Sequence, residues 1–191
     1  MSQTGGAFAR SRGMSPNRAP RLPEFNYLGF SRYFLTICVY PRRPVFHDLE
    51  TGRWVAEQLL HTAVRFNFEI PAYCVMHDHV HVLAEGTAKD ADLRRFVSRW
   101  KQLTAYEWKR RTGQTLWQKG YFDHVLRDEE SDIGVIKYIV SNPVNAGLTE
   151  RPEDYPLTGS SRYTFAQLAD AITDWSPFDR SHRRHEDGWR V

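Results

Sequence analysis

Cysteine is scarce in this chain of 191 residues, which contains only Cys38 and Cys74. Both lie in apolar runs that are typical of β-strands, so we expect small buried side chains of a protein from a reducing compartment. Two cysteines are also too few for a zinc ribbon. Neither a disulfide framework nor a cysteine-based zinc module is therefore expected.

Long apolar runs are also missing. No stretch is long enough to span a bilayer, and the N-terminus lacks the apolar core of a signal peptide, so we expect a cytoplasmic protein without membrane contact. The hydrophobic content of 41% and the charged content of 26% are ordinary for a globular protein. The formal net charge of +3 allows a nucleic-acid partner without requiring one.

The composition divides the chain into three parts. Residues 1–24 are rich in Gly, Ser, Pro and Arg and predict a disordered basic arm. Residues 25–173 carry the apolar patterning of a single domain, and residues 174–191 predict a polar, loosely attached tail.

Hydrophobic periodicity predicts four strands and three long helices. The strands are expected at 32–40, 69–76, 78–85 and 121–127, and the helices at 48–66, 90–111 and 128–141. Asp48 is the expected cap of the first helix, and Asn142-Pro143 is expected to end the third. A loop and a short helix follow within 147–173. The order β-α-β-β-α-β, followed by a helix, predicts an α+β ferredoxin-like (RRM-like) core with an antiparallel sheet and two helices on one face.

Three histidines occupy alternate positions of an apolar run, at His77, His79 and His81. Alternate side chains of a strand share one face, so the three imidazoles are predicted to project together while Val80 and Val82 enter the core. Imidazole is a good ligand for divalent transition metals, and two neighbouring strand histidines can hold one ion. A solvated polar face or hydrogen-bonded core histidines would give the same pattern.

The second predicted helix carries an outward stripe of basic residues, accompanied by aromatic residues. The cations are Arg94, Arg95, Arg99, Lys101, Lys109, Arg110 and Arg111, and the aromatics are Trp100, Tyr106, Trp108 and Trp117. Such cations can neutralise phosphates, and aromatic rings stack on unpaired bases. The pattern favours binding of single-stranded nucleic acid, and a solvated helix face with core packing of the aromatics is the alternative.

Tyr138 and Asn142 lie four residues apart, one turn along the same face of the third predicted helix. A tyrosine hydroxyl can act as a nucleophile, and an asparagine oxygen can ligate a hard cation. Tyrosine in an apolar helix more often serves packing, so the pair alone indicates little.

Taken together, these segments resemble a known family. His79-Val80-His81 resembles the paired-histidine motif of HUH single-strand nucleases, in which a hydrophobic residue separates the two histidines. The segments 116–130 and 138–148 are similar to those of single-tyrosine transposases, and above all to the REP-associated tyrosine transposases, which are relatives of insertion-sequence enzymes. The resemblance covers roughly residues 27–165, and its separated segments occur in the same order as in the family.

The resemblance implies a ferredoxin-like fold with a catalytic helix and a divalent metal, Mg²⁺ or Mn²⁺. It also implies nicking and rejoining of single-stranded DNA at palindromic hairpin repeats through a 5′-phosphotyrosine, by a monomer or a homodimer. By position, His79 and His81 correspond to the metal-binding pair, Tyr138 to the nucleophile and Asn142 to the polar residue that completes the metal site. The chain departs from the family at Met76-His77-Asp78, where a proline usually stands between the methionine and an asparagine or aspartate, so no role is carried over to His77.

Two other functions stay open. The chain could be a hairpin DNA-binding protein that has lost catalysis, although Tyr138, His79 and His81 are all retained. It could also be a zinc hydrolase, but the later histidine and carboxylate of such a site are not found at a suitable spacing. A nicking assay separates these functions by whether it yields a covalent adduct, binding alone, or hydrolysis without an adduct.

Overall fold

The computed structural model describes residues 25–127 and 130–170. The predicted basic arm at 1–24 and the predicted tail at 174–191 lie outside the described residues. The elements, in chain order, are β1 (Arg32–Cys38), α1 (Leu49–Arg65), β2 (Phe68–Met76), β3 (His79–Gly86), α2 (Leu93–Thr112), β4 (Phe122–Leu126), α3 (Asp132–Asn145), β5 (Thr158–Gly159) and α4 (Phe165–Asp170).

The strands form one antiparallel five-stranded sheet in the order β4-β1-β3-β2-β5. The first four strands have the ferredoxin-like arrangement that the β-α-β-β-α-β order predicts, and the fold prediction is confirmed. β5 adds a two-residue edge strand beside β2. β1 and β3 are the central strands of the core, so side chains on their two faces are covered on both sides.

Consecutive residues of β1 show how the two faces differ. Tyr33 is fully buried on one face, where its ring lies 6.3 Å from that of Phe68, which stacks on Phe96 of α2 at 4.9 Å. Phe34 points to the other face, where its ring lies 5.5 Å from that of Tyr138 in α3. Helix α2 and helix α3 therefore cover opposite faces of the sheet.

The first two long helices begin and end at residues suited to those positions. Asp48 caps α1 by accepting hydrogen bonds from the backbone amides of Glu50 and Thr51, as predicted. Asp92 caps α2 in the same way, and Gly113 ends it in the left-handed conformation, with φ of 72°. No helix in the described part of the chain is long and apolar enough to cross a membrane.

The predicted end of the third helix is wrong. Asn142-Pro143 lies inside α3, which continues to Asn145. A proline removes one backbone donor, but here the amides of Ala146 and Leu148 bond to the carbonyls of Asn142 and Pro143, both at 2.9 Å. The helix ends at Asn145, and Gly147, two residues later, has a φ of 69° that suits the left-handed conformation after a helix C-terminus.

The predicted start of that helix is wrong as well, since α3 begins at Asp132 instead of residue 128. The side chain of Glu130, just before this helix, accepts a hydrogen bond from the backbone amide of Arg127 at 2.6 Å. Arg32 of β1 then binds the Asp132 carboxylate at 2.7 Å and joins the first turn of α3 to the sheet. This contact helps to set the position of α3 over its face of the sheet.

Candidate active site

Two histidine side chains converge at one end of β3, on the face that α3 covers. The Nε2 atoms of His79 and His81 lie 3.0 Å apart, and the two rings meet edge to face. His81 is buried, with 1% of its surface exposed, whereas His79 keeps 14% of its side chain exposed. The prediction that these two alternate residues share one face of the strand is confirmed, because their rings are in contact.

The outer nitrogen of each ring has its own partner. Nδ1 of His79 lies 2.6 Å from a carboxylate oxygen of Asp78, and Nδ1 of His81 lies 3.0 Å from the hydroxyl of Thr36 on β1. A proton on Nδ1 of His79, donated to Asp78, leaves its Nε2 lone pair free to bind a cation. These contacts orient the two inner nitrogens toward a shared point.

Burial keeps both imidazoles neutral. It lowers the pKa of His79 below its usual range, although the neighbouring Asp78 carboxylate opposes that effect. The pKa of His81 is lowered further, first by burial and then by the charge that His79 would carry if protonated. Neutral imidazole is the form that binds a metal ion.

The prediction that His77 shares the strand face of the other two histidines is wrong. His77 and Asp78 form the two-residue turn between β2 and β3, and His77 is half-buried with its ring 5.1 Å from that of His47. Because it precedes the first paired residue of β3, the side-chain alternation of the strand does not reach it. The candidate site therefore contains two of the three histidines.

Tyr138 lies directly beside this pair within the same chain. Its ring is half-buried, with its centroid 5.5 Å from that of His81 and 5.5 Å from that of Phe34. Burial raises the pKa of the Tyr138 phenol, and a hydrogen bond from the Asn142 side chain opposes this shift in part. The free protein therefore holds a protonated phenol at neutral pH.

Asn142 follows Tyr138 by one turn and is half-buried. Its side-chain amide donates a 2.8 Å hydrogen bond to the backbone carbonyl of Tyr138. That contact uses the nitrogen end of the amide, so the oxygen is the end available as a ligand. Asn142 therefore lies one helical turn from Tyr138, and it is Tyr138 that contacts the histidine pair.

The donor set of this face suits one divalent ion with open positions. Two imidazole nitrogens 3.0 Å apart can contact the same cation, given metal–nitrogen distances of about 2.0–2.1 Å. Within residues 25–127 and 130–170, no group of three or more His, Cys, Asp or Glu side chains is placed to hold a metal. Two histidines with an amide oxygen fit an ion that also binds substrate, whereas a closed structural zinc site needs more ligands.

The cations predicted to contact DNA lie on α2, so the sheet separates their helix from the histidine pair. Several of them have contacts within the protein. Lys101 donates to two loop carbonyls, Arg94 lies over the Tyr27 ring, and Arg110 and Arg111 pair with Glu107. Arg95 and Arg99 are exposed and line an open cavity of about 280 Å³. Lys109 is also exposed.

Most of the aromatics on or near α2 serve packing. Trp100 and Trp117 are buried, and their indole nitrogens donate to the Val55 carbonyl and the Thr104 hydroxyl. Trp108 is half-buried, while Tyr106 has 73% of its surface exposed. Of the four, Tyr106 is the one with a ring open enough to stack on a base.

The sequence of this chain matches the model of one known protein family. The family model described as "Transposase IS200 like" matches residues 31–142, from the first strand to the asparagine of α3. This span covers more than half of the chain. The chain belongs to the IS200-like transposase family.

Individual relatives agree with that assignment. A REP-associated tyrosine transposase of Escherichia coli K12 is 25% identical over 163 residues, which cover 81% of this chain and 94% of the relative. An uncharacterised protein of Haemophilus influenzae is 24% identical over 166 residues, covering 69% of this chain and 91% of the relative. The resemblance to REP-associated tyrosine transposases is therefore confirmed.

A solved structure supports the fold. The structure of a REP-associated tyrosine transposase bound to a REP hairpin matches with a TM-score of 0.67 and 20% identity, covering 93% of this chain and 99% of the other. At this identity the match concerns the fold of this IS200-like transposase. The hairpin is a partner of the matched protein.

Sequence reasoning missed three residues that shape the site: Thr36, Asp78 and Arg42. Asp78 directly precedes His79, and a carboxylate next to a candidate metal ligand is a usable signal for an orienting contact. Thr36 and Arg42 are more than 35 residues away from their partners along the chain, and only the β1–β3 register brings them close. Cys38, which was expected to be buried, is half-buried and accepts a hydrogen bond from Arg42.

Proposed function

We propose that this transposase nicks and rejoins single-stranded DNA at hairpin-forming palindromic repeats, with Tyr138 as the nucleophile. The observation that carries the proposal is the position of Tyr138, whose ring lies 5.5 Å from that of His81 in the same chain. A tyrosine used only for packing has no need of two converging imidazole nitrogens beside it. Membership of the IS200-like family supports the same activity.

His79 and His81 would hold a divalent cation, Mg²⁺ or Mn²⁺, with the amide oxygen of Asn142 as the third protein ligand. A bound cation of this kind polarises the scissile phosphate and offsets the charge of the transition state. The exposed edge of His79 leaves a path by which a phosphate can reach the pair. His81, packed under Phe34 and Tyr138, would keep that phosphate next to the phenol.

In the proposed step, the Tyr138 oxygen attacks the phosphorus in line and forms a phosphotyrosine ester. The bond from phosphorus to the 3′ oxygen breaks, and that oxygen leaves as a free 3′-hydroxyl after it gains a proton. The phenol must lose its own proton, which burial opposes by raising the pKa of Tyr138. We therefore infer that the phenolate forms only in the complete complex with substrate. The covalent ester conserves the bond energy, so a second strand can be joined without ATP.

The geometry favours action by one chain in cis. Arg32 and Asp132 tie the start of α3 to β1, and the helix then places Tyr138 over the histidine pair of its own chain. A monomer is thus sufficient to assemble the proposed site.

The test is a nicking assay on a single strand that contains a palindromic hairpin and flanking unpaired DNA. With Mn²⁺ present, the full-length protein should give an upstream fragment with a free 3′-hydroxyl and, in equal amounts, a downstream fragment linked to the protein through its 5′ phosphate. Chelation of the metal should abolish both. A protein that only binds hairpins would shift the DNA without any cleavage, and a zinc hydrolase would cleave it without the adduct.

A further inference from the structure

The turn after β1 is fixed to the turn that precedes His79. The backbone amide of Val39 bonds to the carbonyl of Asp78, and the amide of Phe46 bonds to the carbonyl of His77, both at 2.9 Å. Cys38 lies directly opposite His79 in the β1–β3 register. These contacts place the side chain of Arg42 against the outer side of the candidate metal site.

Arg42 binds Asp78 through two of its nitrogens. Nε donates to one carboxylate oxygen at 2.5 Å, and Nη2 donates to the other at 3.3 Å. The third nitrogen, Nη1, donates to the Cys38 sulfur at 2.9 Å. All three nitrogens of the guanidinium are therefore engaged by the protein, although 47% of the side chain is exposed.

Asp78 in turn contacts His79. Its Oδ1 atom lies 2.6 Å from Nδ1 of His79, so the carboxylate joins the guanidinium on one side to the imidazole on the other. A carboxylate that accepts a proton from Nδ1 fixes the tautomer and the ring rotation, which leaves Nε2 directed toward His81. Two nitrogens of the Arg42 guanidinium contact the two oxygens of that carboxylate. This paired contact fixes the orientation of the carboxylate plane, because the spacing of the two nitrogens matches that of the two oxygens.

We propose that Arg42 and Asp78 are positioning residues that orient His79 for metal binding, with Arg42 acting through Asp78. This inference rests on the proposed metal site at His79 and His81. An exposed ion pair by itself contributes little, so the effect should appear at the metal and not in the stability of the fold. The alternative is that Arg42 contacts the DNA backbone directly.

The test measures the Mn²⁺ dissociation constant of the full-length protein by calorimetry, without DNA. Removal of a carboxylate that orients a metal-binding histidine typically weakens binding about 10–100-fold, which we expect for Asp78→Ala. Asp78→Asn should restore most of the affinity, because the asparagine oxygen can still accept the Nδ1 proton. Arg42→Ala should weaken binding by about two- to fivefold, the range of an exposed ion pair.

The double variant tests whether Arg42 acts through Asp78. In the Asp78→Ala background, Arg42→Ala should cause no further loss of Mn²⁺ affinity, because the carboxylate that joins Arg42 to His79 is already absent. An Arg42 effect that persists at full size in that background would overturn the proposal. So would unchanged Mn²⁺ affinity in Arg42→Ala with weaker DNA binding, which would assign the guanidinium to the phosphate backbone.

Arg151 provides a matched control. It binds the Asp154 carboxylate through Nε at 2.9 Å and Nη2 at 2.7 Å on an exposed surface, so Arg151→Ala removes a similar pair and should leave Mn²⁺ affinity unchanged. His79→Ala distinguishes a failure of the proposed metal site from a failure of the positioning role alone. If it binds Mn²⁺ like the wild type, the metal site itself is wrong; if it loses affinity while Asp78→Ala does not, only the positioning role is overturned.

Discussion

The proposed metal site predicts that Mn²⁺ stabilises the protein and that replacing His81 by alanine removes this stabilisation. His81 supplies one of two convergent Nε2 atoms, so its loss leaves His79 as a single imidazole ligand. An ion present at 100 times its dissociation constant stabilises the folded state by about 2.7 kcal/mol. In a domain of this size that corresponds to a rise in Tm of roughly 5–10 °C. The variant should show almost none of this rise.

The substitution also has a cost without metal. The His81 ring is 1% exposed and stacks on Phe34 at 5.6 Å, and its removal leaves the buried Thr36 hydroxyl without a partner. A cavity and an unpaired hydroxyl together should cost about 3 kcal/mol. The decisive quantity is therefore the difference in Tm with and without Mn²⁺, measured for each variant by thermal unfolding.

Two further variants complete the test. His79→Ala, at the more exposed ligand, should also lose the Mn²⁺ effect at a smaller cost in stability. His77→Ala is the matched control, because this half-buried histidine contacts His47 in the turn outside the strand. It should keep the full rise in Tm. An undiminished rise in both His79→Ala and His81→Ala would refute the two-histidine site, and an equal loss in all three would indicate a three-histidine site.

Three other predictions follow from the structure. Gly86→Ala should severely destabilise or unfold the protein, because the added Cβ would lie 1.9 Å from the backbone oxygen of Gly29. Gly134→Ala is the control: it lies on an open helix surface and should be neutral or stabilise the protein by up to about 1 kcal/mol. Urea denaturation measures both effects. Changing Arg95 and Arg99 to Glu should lower the affinity for DNA and make that affinity less dependent on salt, while the affinity for Mn²⁺ stays constant. Titrations measure both affinities, and an unchanged affinity for DNA would show that this surface is not part of the interface. Hairpin-bearing single strands should be cleaved far better than linear duplex in the nicking assay, since a duplex hides its bases and is stiff; equal cleavage of both would contradict the proposal.

Local patterns predicted the sheet well. The alternation along residues 78–85 predicts that Val80 and Val82 enter the core, and both are fully buried. The order of the elements then limits the fold to few arrangements, and the ferredoxin-like one is observed. The histidine pair could be predicted because both histidines belong to one strand.

Features that depend on long-range contacts were not predictable in this way. Pro143 predicts a helix end, but the position of the end follows from Gly147 and the bonds around it. The Arg42 contact with Asp78 spans two turns that only the sheet register joins. The charges of α2 illustrate the same limit, since periodicity predicts an outward face but not that Arg110 and Arg111 pair with Glu107.

The most direct test of the central claim is to identify the amino acid that becomes linked to DNA. The full-length protein would be incubated with Mn²⁺ and a hairpin-bearing single strand, and the adduct digested and analysed by mass spectrometry. The account predicts a 5′-phosphotyrosine ester on Tyr138. Tyr138→Phe should yield no adduct yet fold and bind the hairpin normally, because the phenylalanine ring retains the packing against Phe34 and His81. An adduct on another residue, or one that persists in Tyr138→Phe, would contradict the account.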